Sequence, residues 1–150
     1  MIRKKLTALR AKVHEILAAN LTPASIGWAV GLGVFIGALP LYGVHIGVCI
    51  VVARALRLNQ AVMYTAANIS NPFFAPFLIA LEIELGQYIR YGEINGVDTS
   101  VFGHSFLEAL ETAPDLFYSC VYGSVVLGIA LGVTLGPIAY GIARWRQSRA

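Results

Sequence analysis

The sequence predicts an all-α integral membrane protein. Of its 150 residues, 57% are hydrophobic and 13% are charged, and the mean hydropathy is +0.70. A soluble domain of this length needs more polar surface than that. The charged residues are concentrated at the two ends and in one internal stretch, which leaves three long apolar segments. We therefore expect an N-terminal segment, residues 1–20, followed by one membrane domain, residues 21–150.

The N-terminal segment predicts a basic amphipathic helix. Its apolar residues recur every three or four positions, at Ile2, Leu6, Leu9, Val13, Ile16 and Leu17. Such a helix suits the cytoplasmic lipid surface, where anionic lipid attracts each cation by about 1 kcal/mol. An ordinary solvated helix has the same pattern. Thr22 and Pro23 then predict the N-cap and first turn of a new helix.

The first apolar segment, residues 26–53, is broken in its middle. Its 28 residues would form a helix of about 42 Å, too long for one upright crossing of a core of about 30 Å and too short for two. Pro40 removes a helical hydrogen bond, and Gly43 lets the backbone turn. We predict a hairpin of two short helices over residues 23–57 that enters the membrane and returns.

The second segment, residues 60–87, is interrupted in the same way at Asn71-Pro72. The third, residues 116–143, predicts an unbroken spanning helix. Residues 88–115 between them form a polar loop, with a turn signal at Asn95-Gly96 and a capping box at Ser105–Glu108. The fold is therefore predicted to contain two proline-broken, hairpin or re-entrant, segments and one continuous helix.

Glycines repeat four residues apart in the first and third segments, and this spacing predicts close contact between helix backbones. The repeats are Gly27/Gly31, Gly33/Gly37, Gly43/Gly47 and Gly128/Gly132/Gly136.

Charge predicts the topology. Residues 1–23 carry five basic and one acidic side chain, and the tail carries three arginines. The charged side chains of residues 88–115 are mainly acidic. Basic flanks stay in the cytoplasm. Both termini are therefore expected inside and the polar loop outside, with the first segment returning and the other two crossing. Three plain crossings, or a re-entrant second segment, would place the basic tail outside.

The order of these features resembles the bacterial membrane family catalogued as domain of unknown function 2062. The matching positions are Pro23, Gly37, Pro40, Gly43, Arg57, Asn59, Asn71, Pro72 and Gly86. The chain departs from the family at Phe73–Ala75, where members usually carry a threonine. The resemblance implies a helical protein of the bacterial inner membrane, sometimes joined to a glycosyltransferase, and no settled activity.

The stretch around Asn71 is one candidate site. Asn71 is predicted to cap a half-helix that begins at Pro72, while Asn68 and Ser70 bond to carbonyls of the preceding turn. The start of a half-helix can bind an anion through its free N–H groups. The alternative is a well-capped kink without a ligand.

Charged residues in or near the apolar segments complete the candidate substrate-binding set. Arg54 and Arg57, with Asn59 beside them, could clamp a lipid phosphate, or the arginines could be anchors at the membrane surface. Glu82 and Glu84 lie inside the second segment, where a carboxylate is costly and is usually functional or paired. Two residues apart, they point in nearly opposite directions, so that one is expected to face the protein and could carry a proton. The alternative places both at the outer headgroups.

The remaining polar residues predict no catalytic or metal site. His14, His45 and His104 are scattered, and His45 is expected to be a hydrogen-bonded core residue. Cys49 and Cys120 are expected to be buried thiols. We expect no enzyme activity, no cofactor and no nucleic-acid partner.

Two functions fit these features. The first is a small transporter or flippase-like carrier of an anionic lipid of the polyprenyl-phosphate type. The second is a non-transporting scaffold whose glycine faces bind a glycosyltransferase or a second copy of the chain. A small ion or proton channel is a weaker third option. Membrane lipids are the expected partners in each case.

The predicted topology can be tested by single cysteines at Thr7, Thr99 and Ser148, in a background that lacks Cys49 and Cys120. A membrane-impermeant thiol reagent added to intact cells should label only position 99, because the basic flanks stay inside. Labelling of position 148 from outside would contradict the four-helix topology.

Overall fold

The computed structural model describes residues 21–41, 43–70, 73–94 and 114–149, and its regular elements in these ranges are all helical. The helices are α1 (Pro23–Ala38), α2 (His45–Ala55), α3 (Gln60–Ala67) with a 3-10 turn (Asn68–Ser70), α4 (Ala75–Tyr91) and α5 (Pro114–Gln147). The all-α prediction is confirmed for the described residues. Four predicted features lie outside them: the helix within residues 1–20, the break at Asn71-Pro72, the turn at Asn95-Gly96 and the capping box at Ser105–Glu108.

Helix α1 packs against α5, and the two backbones are in direct contact. A Cβ atom added to Gly31 would lie 3.0 Å from the carbonyl oxygen of Gly132, and one added to Gly132 would lie 2.7 Å from that of Gly31. Gly27 faces Gly136 in the same way, at 3.1 Å. The order of these pairs makes the two helices antiparallel. Glycine is required here because the backbones leave no room for a side chain.

Helix α4 packs against the other half of α5 even more closely. A side chain at Gly86 would collide with the carbonyl oxygen of Ser119, and one at Gly123 would collide with that of Glu82. These helices are therefore antiparallel too. The 16 residues of α1 and the 17 of α4 span about 24 and 25 Å, which together match the roughly 51 Å of the 34-residue α5. Helices α1 and α4 thus lie end to end along α5.

A second glycine face of α1 packs on α3. Gly33 and Gly37 lie against the carbonyl oxygens of Met63 and Ala67, so α1 and α3 run in the same direction. Helix α2, which connects these two helices along the chain, runs back from the turn and adds Cys49 to a buried cluster. The other members of the cluster are Ala29, Ile36, Ala53, Met63 and Ala67. The predicted hairpin over residues 23–57 is observed as α1 and α2.

The boundaries of the hairpin follow from local chemistry. Thr22 caps α1 by accepting a hydrogen bond at 3.2 Å from the N–H of Ser25, as predicted. The helix ends at Ala38, before Pro40, and Gly43 turns the chain with a φ of +81°. The prediction that Gly43 and Gly47 form a packing pair is wrong. Among the described residues, neither has another group within 4 Å of an added Cβ, because one belongs to the turn and the other faces outward on α2.

Two predicted helix boundaries are corrected. The half-helix expected from Pro72 begins at Ala75, after a turn at Phe73 and Phe74, and Pro76 occupies its first turn. The predicted loop over residues 88–115 is shorter at both ends because α4 continues to Tyr91 and α5 begins at Pro114. The guanidinium of Arg90 joins the two helix ends by a 3.3 Å ion pair with Asp115.

One helix within the described ranges, α5, has the length and composition needed to cross a membrane. Helices α1 and α2 are apolar but shorter, with 16 and 11 residues. Multi-pass insertion stays a prediction from the sequence.

The packing makes a direct prediction for Gly86→Ala. Its methyl group has no space against Ser119, so overpacking should lower the free energy of unfolding by about 1–3 kcal/mol. Gly47→Ala is the matched control, because the same change in an open helical position should be neutral or stabilising by up to about 1 kcal/mol. Thermal unfolding in detergent measures both. Equal melting temperatures for Gly86→Ala and wild type would contradict the observed contact.

Candidate functional site

Helices α1 and α4 meet halfway along α5 and enclose a small cavity. Its wall consists of the end of α1, the turn that follows, His45 at the start of α2, and one face of α4 from Ala75 to Glu82. Its volume is about 50 Å³. That is room for a few water molecules at most, given that one water needs roughly 10–15 Å³ of such volume. We call this feature the junction cavity.

Glu82 is the acidic residue on the wall of the junction cavity. It is 1% exposed, and its Oε2 accepts a hydrogen bond from the Cys120 thiol at 3.5 Å. Its Oε1 is buried and has no hydrogen-bond partner among the described residues. The close contact between Gly123 and the backbone of Glu82 holds this part of α4 against α5. A buried carboxyl group with one unpaired oxygen is costly when ionised, so the neutral form is the more stable one inside this packing.

His45 is the second titratable residue on the same wall. It is half-buried at the first position of α2, immediately after the turn that contains Gly43. The sequence predicts a hydrogen-bonded core histidine at this position, and this prediction does not indicate that His45 lines a cavity with Glu82. Its place directly after the Pro40–Gly43 break is the signal that could have found it. The contact between Cys120 and Glu82 had no such signal, since 38 residues separate them.

The two helices that start at the junction lack side-chain caps. The N-cap positions of α2 and α4 are Val44 and Phe74, and neither makes a side-chain cap hydrogen bond. The predicted cap, Asn71, lies outside the described residues. Since α4 begins at Ala75, its N-cap is Phe74, which has no oxygen in its side chain to accept such a bond. Pro40 and Gly43 lie in the turn beside the cavity, as structural breaks.

The acidic pair is divided as the spacing of two predicts. Glu82 faces the protein interior, whereas Glu84 is partly exposed on another side of α4. The two carboxyl groups therefore have different surroundings, and Glu84 provides a natural comparison for experiments on Glu82.

Arg54, Arg57 and Asn59 cluster at the turn between α2 and α3, away from the junction cavity. Both arginine side chains are exposed. Asn59 is 1% exposed and caps α3, with its Oδ1 accepting a 2.8 Å hydrogen bond from the N–H of Val62. Asn59, which the sequence places in a candidate binding site, therefore stabilises the start of α3 in the structure.

Asn68 lies at the opposite end of α3 from this cluster. Its Nδ2 donates to the carbonyl oxygen of Tyr64 at 3.1 Å. Helix α3 and the 3-10 turn separate Asn68–Ser70 from Arg57 by about 18 Å. The structure therefore does not bring Arg57 to the chain segment that leads to Asn71, and one phosphate could not contact both.

The backbone of Arg57 is unusual. Its φ is +54°, in the left-handed region, where it follows α2 in a Schellman motif. The N–H of Leu58 donates to the carbonyl of Ala53 at 2.7 Å, and that of Arg57 donates to the carbonyl of Arg54 at 3.2 Å. Glycine is the residue normally found at this position, because a Cβ atom is disfavoured there.

Arg57→Gly should therefore raise the free energy of unfolding by about 0.5–1 kcal/mol. The control is Arg54→Gly, which removes the same charge from a helical position and should destabilise the protein by up to about 1 kcal/mol. Thermal unfolding of both variants is the measurement. A loss of stability in Arg57→Gly would mean that the arginine side chain contributes more than its backbone conformation costs.

Comparison with known proteins places the chain in a family. Within the described residues, no group of three or more His, Cys, Asp or Glu side chains could hold a metal ion. No curated protein and no solved structure matches the chain. A family described as an uncharacterized protein conserved in bacteria matches residues 6–150, in agreement with the resemblance noted in the sequence. The protein belongs to this family, domain of unknown function 2062.

Proposed function

We propose that this protein is a small transporter of the bacterial inner membrane, that Glu82 binds the coupling proton, and that the substrate is an anionic lipid of the polyprenyl-phosphate type. One observation carries the proposal: Glu82 is fully buried, with an unpaired oxygen, on a cavity where broken helices meet. Carboxyl groups at depth in membrane proteins usually belong to ion pathways or proton relays.

The helix arrangement supports membrane insertion with the predicted topology. The end of the molecule at Gln147 carries Arg144, Arg146 and Arg149, and the opposite end carries Asp115 and Glu93. Basic flanks stay in the cytoplasm. In this orientation α1 and α2 enter and return, α3 and α4 cross outward in two pieces, and α5 crosses back.

In that orientation the junction cavity lies near the membrane midplane, at the middle of α5. Broken helices in lipid persist only where their free backbone groups are buried in protein or line a wet cavity. Transporters place such half-helix ends around their substrate or ion sites at this depth. The starts of α2 and α4 are half-helix ends of this kind.

Protonation of Glu82 would favour one packing of the junction over another. Neutral Glu82 is compatible with the closed contact between α4 and α5, in which Gly123 lies against its backbone. Ionised Glu82 requires water or a counterion, for which the closed cavity has little room. A proton therefore binds the closed and opened states with different affinity, which is the condition for it to shift the equilibrium between them.

An anionic substrate fits the charge distribution. Residues 16–81 and 116–150 contain no Asp or Glu, so the five arginines of these segments have no acidic partner within them. Arg90, which lies between these segments, is paired with Asp115. A lipid phosphate would supply the missing negative charge.

The scaffold function is the second candidate. Glycine spacing favoured it in the sequence, because bare helix faces can bind a partner. In the structure the four-residue glycine repeats of α1 and α5 face other helices of the same chain: those of α5 lie against α1, and those of α1 lie against α5 or α3. That intramolecular use explains the spacing, so it no longer favours an external partner.

The test reconstitutes the purified protein into vesicles with a phosphorylated polyprenyl lipid and imposes a pH gradient. Movement of the lipid between leaflets is followed by its accessibility to a membrane-impermeant phosphatase. Wild type should accelerate movement in response to the gradient. Glu82→Gln keeps the size of the side chain and removes its ionisation, so this variant should fold but lose the response.

Glu84→Gln is the matched control and should respond like wild type. An unchanged response in Glu82→Gln would overturn the proposed role of this residue. Proton conduction by wild type without lipid movement would instead support the channel, and the absence of both activities would support the scaffold.

A further inference from the structure

An open apolar groove runs between α1 and α5 on the surface of the molecule. Its floor is the glycine contact of these helices, and Trp28 and Val133, which are 66% and 69% exposed, stand on its walls. The groove encloses about 660 Å³, within the range of about 300–1,000 Å³ typical of sites for small organic ligands. It extends along α5 from Gly128 to Tyr140, about 18 Å.

One end of this groove is basic. Tyr140 lines the groove, and Arg144, one turn further along α5, donates a 3.3 Å hydrogen bond to the hydroxyl group of Tyr140. Arg144 is exposed and has no acidic residue near it in sequence, since residues 116–150 contain none. Arg146 lies two residues on and so points to nearly the opposite side of the helix.

We propose that this groove binds one acyl or isoprenoid chain of a phosphate-bearing lipid, with the phosphate at Arg144. The groove supplies length and apolar walls for the chain, and Arg144 supplies charge where the headgroup would emerge. A guanidinium forms two parallel hydrogen bonds with a phosphate group, so the match is geometric as well as electrostatic.

The same charges disfavour a second copy of the chain as the occupant. Two copies inserted in the same direction and related by a two-fold axis would place their groove ends together. Arg144, Arg146 and Arg149 of both copies would then approach one another, and residues 116–150 supply no acidic side chain to offset their repulsion, which is unfavourable. A lipid phosphate removes this repulsion, whereas a second protein copy increases it.

The groove is separate from the junction cavity, so lipid binding in it can be measured without a transport assay. The inference rests on the proposed function only where the bound lipid is taken to be the transported substrate. The experiment therefore measures binding directly, by native mass spectrometry of the intact protein with phosphatidylglycerol and with diacylglycerol, which has the same acyl chains but no phosphate. Wild type should retain one phosphatidylglycerol in preference to diacylglycerol.

Two pairs of variants separate the headgroup from the chain. Arg144→Gln should reduce retention of phosphatidylglycerol by about tenfold or more, as expected for loss of a charge-assisted hydrogen bond. Arg146→Gln should retain the preference of wild type. Val133→Trp fills the groove and should reduce retention of both lipids, whereas Ile138→Trp, on an exposed position outside the groove, should not.

Several results would overturn the inference. Equal retention of the two lipids by wild type would contradict a phosphate site at Arg144. Equal effects of Arg144→Gln and Arg146→Gln would show that only the general positive charge attracts the lipid. A dimer that Val133→Trp disrupts would identify a second copy as the occupant. A disulfide between cysteines placed at Ile16 and Val133 would identify the N-terminal segment as the occupant of the groove. Loss of the lipid preference with a proton response that still depends on Glu82 would leave the proposed function intact.

Discussion

Contact between bare helix backbones along α5 sets the position of the other long helices. On one half of α5, Gly132 allows the carbonyl of Gly31 to approach, and on the other half, Gly123 allows that of Glu82. Contacts this close require glycine, because any Cβ atom would overlap with a backbone oxygen. Since both partners run antiparallel to α5 and together equal its length, the end of α1 must meet the start of α4.

That meeting point is where the structure concentrates its polar chemistry. A continuous helix would satisfy its own backbone groups, whereas each of the two interruptions creates a new helix start, at α2 and at α4. Glu82 and His45 reach the same small space from different helices. The glycine contact at Gly123 therefore does more than stabilise the fold, because it also brings the backbone of Glu82 against α5 and so fixes the position of its carboxyl group at the junction cavity.

Charge divides the molecule into two dissimilar ends. At the end of α4, Arg90 is held by Asp115 and by the hydroxyl group of Ser119 at 3.0 Å, so this end is internally neutralised. At the other end of α5, Arg144, Arg146 and Arg149 follow one another, and residues 116–150 contain no acidic side chain. An excess of positive charge attracts anions. The groove between α1 and α5 opens at this end, and this asymmetry links the proposed substrate class to the proposed orientation.

The sequence by itself determined the local features of this protein. Thr22 and Pro23 marked the start of α1, Pro40 and Gly43 marked its interruption, and the spacing of Gly128, Gly132 and Gly136 marked the packing face of α5. Each depends on groups within a few residues of one another, so the pattern contains the physical cause. The family assignment also follows from the order of these features along the chain.

Only the tertiary structure decided which of these features lie together. It separated Arg57 from the Asn68 end of α3, assigned Asn59 to a helix cap, and placed His45 and Cys120 beside Glu82. It also showed that Gly47 has no packing partner in the described part of the chain, although its spacing equals that of Gly31. The physical reason is that a glycine spacing permits close helix contact but does not determine which helix makes it. The surroundings of a buried carboxyl group likewise come from helices that are distant in sequence.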